Sequence, residues 1–247
     1  MSDKPVIYYD EPLHPAIFVE RPNRFIIHCQ LINKELNKPT GELVTVHLPD
    51  PGRLKELLIP GRKVWLQYIN KPARKTQWSA VLASSSEGQL VSINTTLPNR
   101  LIETALKEKK IEELCDWEFK RAEYKFGDSR WDFLLESKDN KKMLLEVKSV
   151  TLAKGERGLF PDAVTKRGAR HVQELSHFQE RENIETVVLF VAQRNDVMSI
   201  SPADHIDPAF AKALLDAKER GVTLLGRRCI LTLEHVQLGE SLPVYVK

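Results

Sequence analysis

The run TVVLFVA, residues 186–192, is apolar almost without a break. A strand of that kind has to be covered on both faces, as strands inside a parallel sheet are. Upstream, KMLLEVKSV (142–150) has the same make-up. Between the two, AVTKRGARHVQELSHFQER (163–181) sets Val164, Gly168, Val172, Leu175 and Gln179 one turn apart, the spacing of an amphipathic helix. Strand, helix and strand across 142–194 predict a βαβ unit with a right-handed crossover. Around it, DWEFKRAEYKF (116–126) and RWDFLLE (130–136) flank a GDS turn and predict a hairpin. A further helix is expected over 207–221, capped by Asp207 with Pro208 at its first position and ended by Gly221.

The chain before residue 98 has a different period. Five short runs rich in Val, Ile, Leu and aromatic residues (24–32, 42–48, 63–69, 77–84 and 89–94) are separated by Pro- and Gly-bearing turns. Between the second and third, RLKELL (53–58) suggests a short helical turn. Five strands arranged so fit a small OB-like β-barrel. Asn99 reads as the N-cap of the helix that begins RLIETAL. The expected organisation is therefore an OB-like nucleic-acid-binding barrel over 1–98 and a nuclease-like α/β domain with a mixed central sheet over 99–247.

Charge follows the same division. Of 37 basic and 34 acidic residues, 12 and 9 fall in residues 1–98, so all of the net +3 lies in the first part. That permits a polyanionic partner without demanding one. The three cysteines are far apart and form no CxxC pair, which argues against a disulfide framework and against a structural zinc site. The N-terminus has no apolar core of a signal peptide, and no apolar stretch is long enough to span a bilayer. A cytoplasmic protein without membrane contact is expected.

Three charged residues interrupt strands that otherwise read as core: Asp132 in RWDFLLE, and Glu146 and Lys148 in LLEVKSV. Glu146 and Lys148 are two apart and share one face of their strand. A hairpin with Asp128-Ser129 at its tip pairs 125 with 132 and brings Glu123 to the face of Asp132, although a one-residue slip turns Glu123 away. Carboxylates gathered on a half-buried patch repel each other, and a hard cation such as Mg²⁺ or Mn²⁺ relieves that repulsion. The adjacent lysine suits activation of water or neutralisation of charge on a phosphorane. Asp132, Glu146, Lys148 and Glu123 are thus candidate catalytic residues, and the three acids candidate metal ligands. The plain alternative is a set of salt bridges, Lys125 with Asp132 and Lys148 with Glu146.

The arrangement resembles the PD-(D/E)-x-K nuclease core, with "WD" and "EVK" as its two motifs. Longer stretches, including EVKSVTL, GLFPDAVTKRGARHVQEL, RPNRFIIHCQL and VSINTTLPNRLIETAL, resemble the sugar fermentation stimulation protein family over about residues 14–227. The resemblance implies an N-terminal OB-like domain, a nuclease-like domain, non-specific DNA binding and a link to sugar (maltose) metabolism. It points to Glu123, Asp132, Glu146 and Lys148 as site positions. The loop HLPDPGRL (47–54) departs from the family wording, and its role stays open.

Candidate nucleic-acid contacts are Arg53, Arg62, Lys63, Arg74 and Lys75 in the first part, and Lys166, Arg167 and Arg170 on the crossover helix, whose N-terminus favours phosphate. Trp65, Tyr68 and Trp78 are possible stacking platforms, at most one of them free of the core. Asp162 reads as a helix cap and His171 as a surface or structural residue. Two functions follow: a metal-dependent nuclease acting on DNA or RNA, or a DNA-binding regulator of sugar metabolism without catalysis. A sugar hydrolase built on paired carboxylates fits less well, because the strand lysine and basic loops point to phosphate.

Overall fold

The computed structural model describes residues 4–33, 35–72, 74–181 and 184–247. The chain begins with β1 (Val6–Tyr8) and then builds a barrel from β2 (His14–Asn23), β3 (Ile26–Asn33), β4 (Lys38–His47), β5 (Lys63–Tyr68) and β6 (Trp78–Ser84). These five pair in the order β4-β3-β2-β5-β6, and β4 meets β6 again in parallel at Val46↔Trp78 and His47↔Ser79. That last pairing closes the sheet and removes its open edges. Alternate residues of β3 and β5, among them Ile27, Cys29, Val64 and Leu66, fill the interior. β7 (Leu90–Ser92) extends β6 and bridges to Arg194 beyond β13 through Val91.

The barrel's first strand is one that the sequence pattern does not announce. HPAIFVERPN contains two prolines, and its strand interrupts its register with β3 at two points. Prolines depress strand propensity, but bulges and free edges accommodate them. The residues 53–58 form a single turn, in which the N–H groups of Leu57 and Leu58 both bond to the Leu54 carbonyl.

The second sheet has seven strands in the order β1-β16-β15-β13-β10-β9-β8. They are β8 (Glu118–Phe126), β9 (Ser129–Glu136), β10 (Lys142–Val150), β13 (Glu185–Ala192), β15 (Thr223–Leu231) and β16 (His235–Ser241), together with β1. Val6–Tyr8 therefore belongs to this sheet, paired with Val236 and its neighbours, and not to the barrel that precedes it in the order of the chain. β10, β13 and β15 are parallel, so the expected βαβ unit is present. A small sheet of β11 (Leu152–Lys154), β12 (Arg157–Phe160) and β14 (Ser199–Pro202) stands beside it.

Helices cover both faces. α1 (Thr96–Lys107) packs Leu101, Ile102 and Ala105 into one core cluster, which also takes in Val81 and Leu82 of the barrel. α2 (Lys166–Arg181) and α3 (Pro208–Glu219) pack Val172, Leu175, Phe210 and Leu214 into the other. β13 lies between the two clusters, and its residues 186–192 are all buried, which is why TVVLFVA tolerates no charge. Asp207 caps α3 as expected, accepting the Phe210 N–H at 3.0 Å. α1 begins four residues earlier than expected, at Thr96 rather than Arg100. Asn94 turns the chain into it by accepting the Thr96 N–H, and Asn99 lies inside the helix rather than at its cap. No helix among the described residues is long and apolar enough to cross a membrane.

Candidate active site

The site lies where β9 and β10 part. They pair from Lys142↔Glu136 to Leu145↔Phe133 and then separate, while β10 stays joined to β13 as far as Val150↔Ala192. The separation has a visible cause in β9. Trp131 packs in the cluster under α2 and Phe133 in the cluster under α1, although residues two apart in a regular strand share a face. The strand thus turns over at Asp132. Its Oδ2 takes the Val147 N–H at 2.7 Å, a donor the parted backbone no longer satisfies. Its Oδ1 accepts the Asn99 amide at 2.7 Å.

Glu146 and Lys148 lie on the face of β10 that looks toward α2. Both are buried, at 6% and 9% exposure. Lys148 Nζ stands 2.7 Å from Glu146 Oε1, the same oxygen that His171 Nδ1 reaches at 2.7 Å. Arg167 Nε donates to His171 Nε2 at 3.3 Å, so Nδ1 carries the ring proton and donates it to Glu146. Trp131 lies against the imidazole with ring centroids 5.2 Å apart. Each carboxylate is held by one flanking helix: Asp132 by α1 and Glu146 by α2.

The two acids respond oppositely to their surroundings. Burial and the charge of Glu146 push Asp132 up to about 7, against the opposing pull of the Val147 N–H, Lys148 and Asn99. Burial also works against the Glu146 carboxylate, but the His171 hydrogen bond and the Lys148 charge outweigh it and hold Glu146 below the usual range. Half of the salt-bridge alternative is therefore present, as the Lys148–Glu146 pair. The pairing of Lys125 with Asp132 is not, since Lys125 stands opposite Arg130.

Glu123 does not join them. The hairpin tip is Gly127-Asp128, with Phe126 opposite Ser129, a register two residues from the expected one. Glu123 sits opposite the turnover in β9 with φ +53°, and its side chain is 62% exposed, 3.7 Å from Arg130. A left-handed residue in mid-strand breaks the alternation and sends the side chain to solvent. No group of three His, Cys, Asp or Glu side chains placed to hold a metal occurs among the described residues.

Of the candidate nucleic-acid contacts, Arg53, Lys75, Lys166, Arg167 and Arg170 are exposed, and Lys63 and Arg74 are half-buried. Arg62 is a structural residue: its guanidinium donates to the Glu56 carbonyl at 2.9 Å and the Ser84 carbonyl at 3.5 Å. Arg170 pairs with Glu174 at 3.3 Å. Trp78 packs against the barrel core edge-on to Tyr68 and His14, Trp65 joins the core under α1, and Tyr68 is the most exposed of the three platforms. Asn99 and His171 are the residues of the candidate site that sequence reasoning misses. Asn99 gives no local signal. The signal for His171 is its neighbourhood, since the face His171, Val172, Leu175 and Ser176 is buried against the sheet.

Both halves of the chain match known family models. Residues 19–93 match the SfsA N-terminal OB domain, and residues 96–235 match the sugar fermentation stimulation protein RE domain. A sugar fermentation stimulation protein homolog of Shouchella clausii is 43% identical over 235 residues, covering 95% of this chain and 98% of that one. One from Geobacter metallireducens is 40% identical, with 94% and 97% covered. Among solved structures, Pyrococcus furiosus SfsA in complex with Ca²⁺ superposes with a TM-score of 0.84 at 27% identity, covering 98% of this chain and 99% of that one. The chain joins an OB barrel to a nuclease-like domain with a mixed sheet, and it belongs to the sugar fermentation stimulation protein family.

Proposed function

We propose that this chain binds nucleic acid and hydrolyses its phosphodiester bonds with a divalent cation held by Asp132 and Glu146. One observation carries the reading. A half-buried and a buried carboxylate meet where two strands part, close enough for the charge of one to raise the pKa of the other, with a buried lysine 2.7 Å from one of them. Two acids facing a single lysine leave one negative charge unmatched, which is costly away from water. Three of the acids' four oxygens accept protein donors, while Glu146 Oε2 makes none of the site's hydrogen bonds. Oxygen donors on two side chains fit Mg²⁺ or Mn²⁺, which bind through one or two carboxylates and keep their other positions for water and phosphate. The Ca²⁺ complex of the Pyrococcus relative fits the same hard-cation chemistry.

A bound cation supplies Lewis-acid stabilisation of a phosphoryl oxygen. The rest falls to the chain. Asn99 and the Val147 N–H fix the direction of Asp132, and His171 fixes Glu146. Lys148 brings a donor to the negative charge on the phosphate oxygens as water adds to phosphorus and the ester oxygen leaves. Lys166, at the start of α2, and the barrel's exposed cations hold the backbone without reading bases. DNA is the expected substrate class, with RNA also open, in the cytoplasm.

A second reading is a DNA-binding regulator without catalysis. It is favoured by the Lys148–Glu146 ion pair, which satisfies the site without a metal. The two are separated by incubating labelled single- and double-stranded DNA and RNA with Mg²⁺, Mn²⁺ or EDTA, beside Lys148→Ala. Metal-dependent products that vanish in the variant support the nuclease. Binding retained in EDTA with no products from any substrate leaves the regulator.

A further inference from the structure

The loop of residues 49–54 is fastened from three directions. Arg21 of β2 donates to four of its surrounding carbonyls, those of Gly52, Arg53 and Arg24 at 2.8 Å and of Asp50 at 3.3 Å. The Thr95 hydroxyl, at the entry to α1, donates to the Pro49 carbonyl at 3.1 Å. Asp162 comes from the other domain. Its Oδ2 accepts the Arg53 N–H at 2.8 Å and the Leu54 N–H at 3.4 Å. Consecutive main-chain N–H groups turned to one point form an anion-binding concavity, and here the anion is a side chain of the second domain.

The approach is close enough to dictate sequence. A Cβ on Gly52 would lie 2.6 Å from Asp162 Oδ2 and 2.8 Å from Asp50 Oδ1. Gly52 does not have a left-handed φ, so this position requires glycine for space alone. Leu54 does have one, at +48°, and is 1% exposed, so the strained backbone is held by a buried side chain on one side and by Asp162 on the other. The Asp162 carboxylate is spent on the loop and caps no helix. Thr165 does that work for α2, its hydroxyl accepting the Gly168 N–H at 3.1 Å.

What the fastening leaves outward is Arg53. It is exposed, and its guanidinium makes no hydrogen bond or ion pair among the described residues. Four residues after Asp162, Lys166 opens α2, the helix that carries Arg167 and His171 to Glu146. A cation of the barrel is thus tied by its own backbone to the segment that leads into the site helix. The loop is also tied, through Thr95, to the start of α1, the helix that carries Asn99 to Asp132.

We infer that Asp162 is a positioning residue. It locks the barrel's 49–54 loop to the second domain so that Arg53 and Lys166 grip one nucleic-acid backbone as a single surface beside the site. This rests on the nucleic-acid reading above but not on cleavage. A cation on a fixed backbone loses less freedom when it meets a phosphate than one on a loose loop.

The test is a double-mutant cycle read by binding of a short labelled DNA duplex in EDTA across a salt series, with thermal unfolding followed in parallel. Arg53→Ala is expected to weaken binding about three- to tenfold and to lower the salt slope by roughly 0.9, the value for one phosphate contact. Asp162→Ala should do nearly the same, and the double variant should be no weaker than Arg53→Ala within about twofold. Gly52→Ala should reproduce Asp162→Ala by displacing the loop, and it serves in the cycle if Asp162→Ala does not fold. Asp162→Asn, which keeps an acceptor oxygen, should recover part of the loss. Additive losses, or an Arg53→Ala protein that binds as wild type, overturn the inference while leaving the nucleic-acid reading in place. A wild-type protein that binds neither duplex nor single strand overturns both.

Discussion

Pairs of acidic side chains meet in two places in the molecule, and their charge is answered differently. At the parting of β9 and β10, Asp132 and Glu146 are met mainly by side chains: Asn99, His171 and Lys148. At the domain junction, Asp50 and Asp162 are met mainly by backbone, the N–H groups of Gly52, Arg53 and Leu54, with Arg21 nearby. Backbone donors cannot leave without unfolding the loop, so the second arrangement is a fastening. Side-chain donors can turn aside, so the first can admit a cation and a phosphate. Burial lifts an acid in both places, Asp132 to about 7 and Asp50 to about 6, so a raised pKa alone does not tell a reactive centre from a joint.

The contrast is sharpest at Lys148. Lys148→Ala should lower cleavage by about 10²–10⁴-fold, the range for loss of a group acting in the transition state, and leave binding in EDTA unchanged within about twofold. Gel assays on the same duplex measure both. An equal loss of binding would make the lysine part of a general phosphate surface and erase the distinction between the two regions.

At the junction the expected effect is on stability. Asp50 is raised from 3.8 to about 6 by burial, with the charges of Asp162 and Glu56 adding to the rise and Gly52 N–H and Arg21 opposing it. The stability it contributes is therefore complete below pH 4 and lost as pH rises through 6. Asp50→Asn keeps an oxygen for the Gly52 N–H and removes the titration. It should match wild type near pH 4 and exceed it at pH 7.5 by about 2 kcal/mol, somewhat less than the full linkage of the shift. Urea unfolding at the two pH values checks the sign.

Removing the side-chain supports should weaken cation use rather than folding. Asn99→Ala and His171→Ala are each expected to raise the Mn²⁺ concentration needed for half-maximal cleavage by about 10-fold, as loss of a group orienting a ligand does. The Mn²⁺-induced rise in melting temperature should shrink in step. The smallest effect is expected at Arg62, whose donors serve the Glu56 and Ser84 carbonyls. Arg62→Ala should cost about 1 kcal/mol of stability and leave DNA affinity unchanged, unlike Arg53→Ala.

Some of this was legible in the chain alone. TVVLFVA could be little else than a strand covered on both sides, and the crossover helix between two such runs fixed a parallel pair. Asp132, Glu146 and Lys148 stood out because charge in a buried strand needs a partner, a cation or a substrate. Local pattern carries such information, because burial imposes a period on the residues next to each other in sequence.

The rest depended on contacts between distant segments. β2 hid behind two prolines that a bulged strand accommodates. Val6–Tyr8 found its pairing partner about 230 residues away. The hairpin register moved by two residues, and the left-handed φ at Glu123 turned away an acid that spacing had placed in the site. Asn99 and His171 reached Asp132 and Glu146 from separate helices, and Asp162 closed on a loop 108 residues earlier. The pattern along the chain settles which strands have to be buried and which charges in them need an answer. The packing of distant segments settles which side chains give that answer, because a hydrogen bond 2.7 Å long depends on where two helices dock and not on the residues beside either partner.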